Sequence, residues 1–321
     1  MDYQNYILNQ PYMRNFIQKK ANSMTKSAYI FACPDDETLY EITMCVVKVF
    51  LCENNGFDNC PTCQKVECGS HPDLLTYPKG EAFSTQDAKD IIENANKKPM
   101  LSKNKIILIK DLDNSSDQAQ NKLLKILESP PNNVIFLIYT TNINKVLSTV
   151  VSRLIKVDVT PFDSKTLRLM FKHYENNENF ELAMQSSNGY IGYTKRILID
   201  DNFHKCHLTA RNIVTKLKNS ASVVDYIIPK ISKSQFDDIL QNMQSMYRDV
   251  AMLKCGKDDL VINRSIISDL KEVQDEFSLK AITKIIKKIN DVNKKQFSNV
   301  SLSLLFESLL VNILEVKYLC R

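Results

Sequence analysis

Apolar residues follow two rhythms along this chain, and the change of rhythm divides it. Over the first 160 or so residues, short unbroken apolar runs alternate with stretches of helical spacing. Tyr29-Ile-Phe-Ala32, Ile106-Ile-Leu-Ile109 behind Lys105, Val134-Ile-Phe-Leu-Ile138 and Ile155 to Val159 read as buried strands. Glu41 to Leu51 reads as the helix after the first of them. A second helix opens on Ser115 with Gln118 three residues later, a capping box, carries Leu123, Leu124 and Leu127 as one stripe, and ends at Pro130-Pro131. Strands interleaved with helices predict an α/β domain over 1–161.

Pro161-Phe162 marks a boundary. Residues 162–205 predict two or three short helices, with Gly189 and Gly192 in the stretch Ser-Asn-Gly-Tyr-Ile-Gly-Tyr-Thr-Lys-Arg-Ile, and from 206 to 321 no strand pattern survives. Phe236, Ile239, Leu240, Met243, Met246, Tyr247, Val250 and Leu253 step by three and four. Ile282, Ile285, Ile286 and Ile289 do the same, with Lys284, Lys287 and Lys288 opposite. The last helix, about 301–319, is apolar around much of its circumference, so several of its sides should be covered.

Composition narrows the class. The chain has 321 residues, 44% of them hydrophobic, enough for real cores, and no run nears the roughly 20 apolar residues that span a bilayer. The N-terminal residues lack the layout of a secretory signal, so a cytosolic protein is expected. A net charge of +5, with both signs interspersed, permits contact with nucleic acid without requiring it. In a reducing cytosol the nine cysteines are first tested as metal ligands rather than as disulfides.

The loop between the first strand and its helix sits where nucleotide-binding proteins carry G-x-x-x-x-G-K-[ST]. Here it reads Cys33-Pro-Asp-Asp-Glu-Thr-Leu-Tyr40. Cys33, Asp36 and Thr38 stand at glycine-type positions, Leu39 replaces the lysine and Tyr40 the hydroxyl. Asp35, Asp36 and Glu37 add negative charge where phosphate would sit; like charges about 4 Å apart repel by roughly 4 kcal/mol at an effective dielectric near 20. The strand ending at Ile109 continues Lys110-Asp111, which puts a cation where a Mg²⁺-binding carboxylate is needed. The two losses agree with each other, and no intrinsic ATP turnover is expected. Thr140, at the end of the next strand, is a candidate phosphate probe or simply a capped turn.

Cys52, Cys60, Cys63 and Cys68 fall within one loop with a C-x-x-C knuckle at 60–63, the pattern of a closed tetrahedral Zn²⁺ site that would order a module over about 52–73. His71 is an alternative fourth ligand. Cys33, Cys45, Cys206, Cys255 and Cys320 are scattered and read as core residues.

The run NKLLKILESPPNNVIFLIYTTNINKVLSTVVSRL, 121–154, resembles the NALLKTLEEPP…SRC block of the AAA+ clamp-loader subunits of bacterial DNA polymerase III. The resemblance implies a RecA-like AAA+ domain with an inserted zinc module, a small helical lid at 162–205 and an all-α collar at 206–321. In that family the Ser-Arg pair, here Ser152 and Arg153, lies at an intersubunit face, and the arginine acts in trans on ATP held by a neighbour. Leu154 departs from the family's cysteine. The family also has a zinc module before a His-Pro-Asp turn, matched by His71-Pro72-Asp73, although it spaces the last two cysteines as C-x-x-C. Lys195 matches a basic lid residue that can sense nucleotide, and Met246-Tyr-Arg-Asp-Val and Asn299-Val-Ser-Leu-Ser-Leu-Leu-Phe-Glu307 resemble its collar.

The implied function is that of a non-hydrolysing subunit of a hetero-pentamer with gamma/tau ATPase and delta subunits, which places a sliding clamp on primed DNA. Its cofactor would be structural zinc, with no ATP and no membrane. Two other readings are an active AAA+ motor subunit of the same complex, and a stand-alone zinc-containing DNA-binding protein.

Overall fold

The computed structural model describes residues 3–21, 28–54, 56, 60–226, 230–295 and 301–319. The chain divides into two compact units, Met1–Lys172 with Gly189–Gly192, and His173–Asn188 with Tyr193–Arg321.

The first unit runs α1 (Gln4–Leu8), α2 (Pro11–Ala21), β1 (Ala28–Ala32), α3 (Asp36–Leu51), α4 (Pro61–Glu67), β2 (Leu74–Tyr77), α5 (Thr85–Ala95) and β3 (Lys105–Ile109). It continues with α6 (Asp117–Glu128), β4 (Val134–Thr140), α7 (Ser148–Val151), β5 (Ile155–Asp158) and α8 (Ser164–Met170). The strands form one sheet in the order β2-β3-β4-β1-β5, and every neighbouring pair is parallel. A parallel sheet needs helical crossovers and is covered on both faces, which is why its strands read as continuous apolar runs rather than alternating ones.

Alternation returns in where the side chains go. Ile30, Ile107, Ile109, Phe136 and Ile138 join one core with Ala88 and Ile91 of α5 and Leu123, Ile126 and Leu127 of α6. Tyr29 and Phe31, one step out of phase on β1, pack instead against Phe16 of α2, and Phe16 and Tyr29 also meet Phe50 of α3. Two helix starts differ from expectation. α3 begins at Asp36 rather than Glu41, because Asp35 caps it; α6 is capped by Ser116, whose hydroxyl accepts the Ala119 N–H at 3.3 Å, while the Ser115 hydroxyl donates to Leu112 O.

The second unit is helical: α9 (Phe180–Ser186), α10 (Ile191–Ile199, whose first two residues belong to the first unit), α11 (Asp201–Lys216), α12 (Ser220–Val224), α13 (Lys233–Lys254), α14 (Ile267–Gln274), α15 (Leu279–Lys295) and α16 (Leu302–Leu319). The eight predicted core positions of α13 are all buried, together with Ile282, Ile285 and Ile289 of α15. α16 buries Leu305, Phe306, Leu309, Leu310, Ile313, Leu314 and Val316, and leaves Leu304, Val311, Tyr318 and Leu319 exposed. Cys33, Cys45 and Cys206 are buried as expected; Cys255 is exposed, just beyond the end of α13, where no core reaches it. Cys320, Asn299 and Val300 lie outside the described residues. No helix among the described residues is long and apolar enough to cross a membrane.

Candidate functional site

In an open parallel sheet, ligands bind beyond the carboxyl ends of the strands. The register pairs Ala32 with Thr140 and Ile109 with Ile138, so segments 33–36, 110–113 and 140–142 emerge side by side at that end. The helix that starts there is α3, and its free N–H groups and dipole would favour a phosphate.

The chain fills that place itself. The Asp35 carboxylate, buried, accepts the Thr38 N–H at 2.9 Å, the Thr38 hydroxyl, and the Gly192 N–H at 2.9 Å. Thr38 is fully buried and its hydroxyl accepts the Ile191 N–H at 2.8 Å. A Cβ on Gly192 would lie 2.5 Å from Asp35 Oδ1, so only glycine lets the two segments meet. A carboxylate of the chain itself thus takes the Thr38 N–H, one of the donors that an incoming phosphate would use.

The remaining altered positions are built into the same closure. Leu39 is fully buried, and burial, the largest influence on it, pushes the Cys33 thiol up to about 12. Lys110 Nζ stands 4.5 Å from the centroid of the Tyr40 ring, so the residues at the hydroxyl and metal-acid positions engage each other. Asp113 is buried and accepts the hydroxyls of Thr140 at 2.7 Å and Thr141 at 3.2 Å, which commits the candidate phosphate probe to a bond inside the chain.

Asp111 meets Asp36 through a carboxyl–carboxyl hydrogen bond; burial first, then the charge and bond of Asp36 and the charge of Asp113, push it up to about 6 against the opposing pull of Lys110. A carboxyl that holds its proton more firmly when folded makes stability fall as pH rises from about 4 to about 6. Asp111 has φ 48°, which asparagine tolerates. Asp111→Asn should therefore melt above the parent chain at pH 8 and level with it near pH 4. A melting difference independent of pH would contradict this account.

Ser152 and Arg153 follow α7 and are exposed. The Arg153 guanidinium donates to Thr149 O at 2.8 Å and lies 3.6 Å from Glu128 Oε2; the Ser152 hydroxyl also donates to Thr149 O, at 3.1 Å. An open cavity of about 340 Å³ adjoins them, bounded by Leu127, Pro130 and Ile155 among others. Lys195 lies in the second unit and is half-buried.

Cys52, Cys60 and Cys63 bring their sulfurs within 4.8 Å of one another, a donor set that could hold a metal ion. Cys60 caps the start of α4 and Cys63 follows one turn later, on the same side. Cys68 does not join them. It is exposed at the opposite end of α4, and its step of five residues from Cys63 turns it about 140° around the helix axis. Nor is His71 available: its Nδ1 accepts the Asp73 N–H at 3.2 Å and its Nε2 lies 3.4 Å from the Ser102 hydroxyl.

The family model described as DNA polymerase III, delta subunit, matches residues 8–163. Beyond that segment, the delta-prime subunit of DNA polymerase III from Bacillus subtilis (strain 168) is 22% identical over 298 residues, 90% of this chain and 91% of that one. These matches make the chain similar to subunits of the DNA polymerase III clamp loader. The tau subunit of Escherichia coli (strain K12) is 30% identical over 120 residues, 37% of this chain and 19% of that one. A solved gamma subunit-related protein of Thermotoga maritima superposes with a TM-score of 0.47 at 15% identity, covering 94% of this chain and 99% of that one. The clamp-loader likeness is thus to a delta-prime subunit along nearly the whole chain and to a tau subunit over a shorter stretch.

Two residues of the first unit carry duties that the sequence pattern did not disclose. Asp35 registered only as one of three acids, and Asp73 only as the last letter of His71-Pro72-Asp73. Asp73 is fully buried and accepts three backbone N–H groups from residues 100–102. An acid at an N-cap position was the one available signal for Asp35; for Asp73 there was none.

Proposed function

We propose that this chain is a non-hydrolysing subunit of the DNA polymerase III clamp loader, which keeps the packed AAA+ framework and lends Arg153 to ATP held by a neighbouring ATPase subunit. The observation that carries the reading is the Asp35 carboxylate on the start of α3, locked by Gly192 in the place a phosphate would take. Arg153 supports the second half: a guanidinium is always charged and presents a planar fork to phosphate oxygens, and this one stands at the surface beside an open cavity. Residues 162–205 would be the lid and 206–321 the collar, with gamma/tau and delta subunits as partners in a hetero-pentamer that places a sliding clamp on primed DNA in the cytosol.

Titration of the purified chain with ATP and Mg²⁺, followed by calorimetry, should give no binding at micromolar nucleotide. In the same series, a mixture with ATPase and delta subunits should yield one complex by native mass measurement. Micromolar ATP affinity would overturn the reading, and so would failure to assemble.

Cys52, Cys60 and Cys63 would hold a structural zinc, which would supply folding free energy to a segment with little apolar surface of its own. Elemental analysis should find one zinc per chain, lost on Cys52→Ser or Cys63→Ser and kept on Cys68→Ser. Loss of the metal with Cys68→Ser would restore the four-cysteine site.

A further inference from the structure

The chain's net charge is concentrated in one helix. α15 holds six lysines and a single acid, Asp291, a net of +5, and the whole chain, with 42 basic and 37 acidic residues, also nets +5. The rest of the chain is therefore neutral in sum. The opposite side of the helix is apolar and already committed: Ala281, Ile282, Ile285, Ile289 and Val292 are buried in the core of the second unit.

Spacing turns the excess into a row. Lys280, Lys284 and Lys287 stand at steps of four and three, so they share one side of α15 over about 10 Å of its axis. All three are exposed, and among the described residues none of their ammonium groups has a hydrogen-bond or ion-pair partner. Lys288 does not join them, since its Nζ donates to Asn312 Oδ1 of α16 at 3.0 Å. Asp291 is exposed one turn beyond Lys287, at the end of the row. Like charges three and four residues apart repel and weaken a helix, and no carboxylate within this row relieves them.

The chemistry of the face selects its occupant. Lysines act on phosphate as point charges, which hold a backbone without reading bases. α15 contains no aromatic residue, so the stacking on which single-strand binders rely is missing. Because the apolar side is buried in the unit, the helix cannot lie in a lipid surface either. A duplex holds its phosphates in fixed places, where a rigid row of cations can displace condensed counterions without ordering its partner. We propose that the Lys280–Lys284–Lys287 face of α15 binds the phosphate backbone of duplex DNA, independently of its sequence. The inference goes beyond the clamp-loader reading and rests on charge and spacing alone.

The test follows binding of the purified full chain to a labelled duplex of about 20 base pairs by fluorescence anisotropy, from about 25 to about 200 mM salt. The Lys280→Gln/Lys284→Gln/Lys287→Gln variant should lower the slope of log affinity against log salt by about 2 to 3 and weaken binding at low salt by at least about tenfold, with no fall in melting temperature. A second variant, Lys89→Gln/Lys165→Gln/Lys216→Gln, removes the same charge from exposed lysines elsewhere and should keep the parent's slope. Equal losses in the two variants would reduce the effect to net charge and overturn the proposal. A parent chain without measurable binding at the lowest salt would do so too, as would a single strand of equal length bound as tightly as the duplex. If the first variant keeps its duplex affinity but fails to assemble with the ATPase and delta subunits in native mass measurement, the face meets protein and not DNA. The anisotropy arms use the chain by itself, so their failure leaves the clamp-loader reading standing.

Discussion

Arg153→Ala should leave the chain folded and the complex assembled, while DNA-stimulated ATP hydrolysis by that complex falls at least tenfold and by as much as about 10³, the lower end of what trans arginines contribute in GTPases. The fold has little stake in the side chain. Its ion pair with Glu128 spans 3.6 Å with both partners partly exposed, 32% and 64%, and a pair of that kind contributes under about 1 kcal/mol. So weak a tether also lets the guanidinium leave Glu128 for a phosphate. Arg153→Lys keeps the charge without the planar fork and should fall between the two. The measurement is steady-state hydrolysis with primed DNA and clamp, alongside melting temperature and native mass. Hydrolysis that is unaffected by the alanine variant would remove the trans role.

Asp35→Ala should have the largest effect on the first unit alone. It strands three donors at once, the Thr38 N–H, the Thr38 hydroxyl and the Gly192 N–H, in a place without solvent. Loss of a cap with buried unsatisfied donors costs about 2–4 kcal/mol, or roughly 5–15 °C in melting temperature for a unit of this size. The vacated helix start should then accept a small anion. Inorganic phosphate at tens of millimolar is expected to raise the variant's melting temperature and leave the parent chain's unmoved. An alanine variant that melts with the parent, or a parent stabilised equally by phosphate, would show that the carboxylate does not hold the site.

The α/β framework could be read from the chain because its strands are short, wholly apolar and separated by helical spacing, a pattern that a parallel sheet covered on both faces imposes. The core of α13 was legible for the same reason: a stripe at steps of three and four has one way to be buried. What depended on distant partners was not legible. Asp35 and Gly192 are 157 residues apart, and nothing in either neighbourhood announces the other. Asp73 likewise meets its donors 27 to 29 residues on. The cysteines show the limit of spacing as a guide. Four thiols in one loop suggest a closed set, yet the short helix between Cys60 and Cys68 turns the last of them away from the other three.

The carboxylate on α3 has a further consequence. On the proposed reading, a protomer whose helix start is filled by its own carboxylate presents the same face whether the cell's triphosphate pool is full or exhausted, whereas a partner that must capture fuel changes with supply. On that reading, nucleotide use would require Asp35, Leu39 and Lys110 to change together. Such a lock resists reversal one mutation at a time.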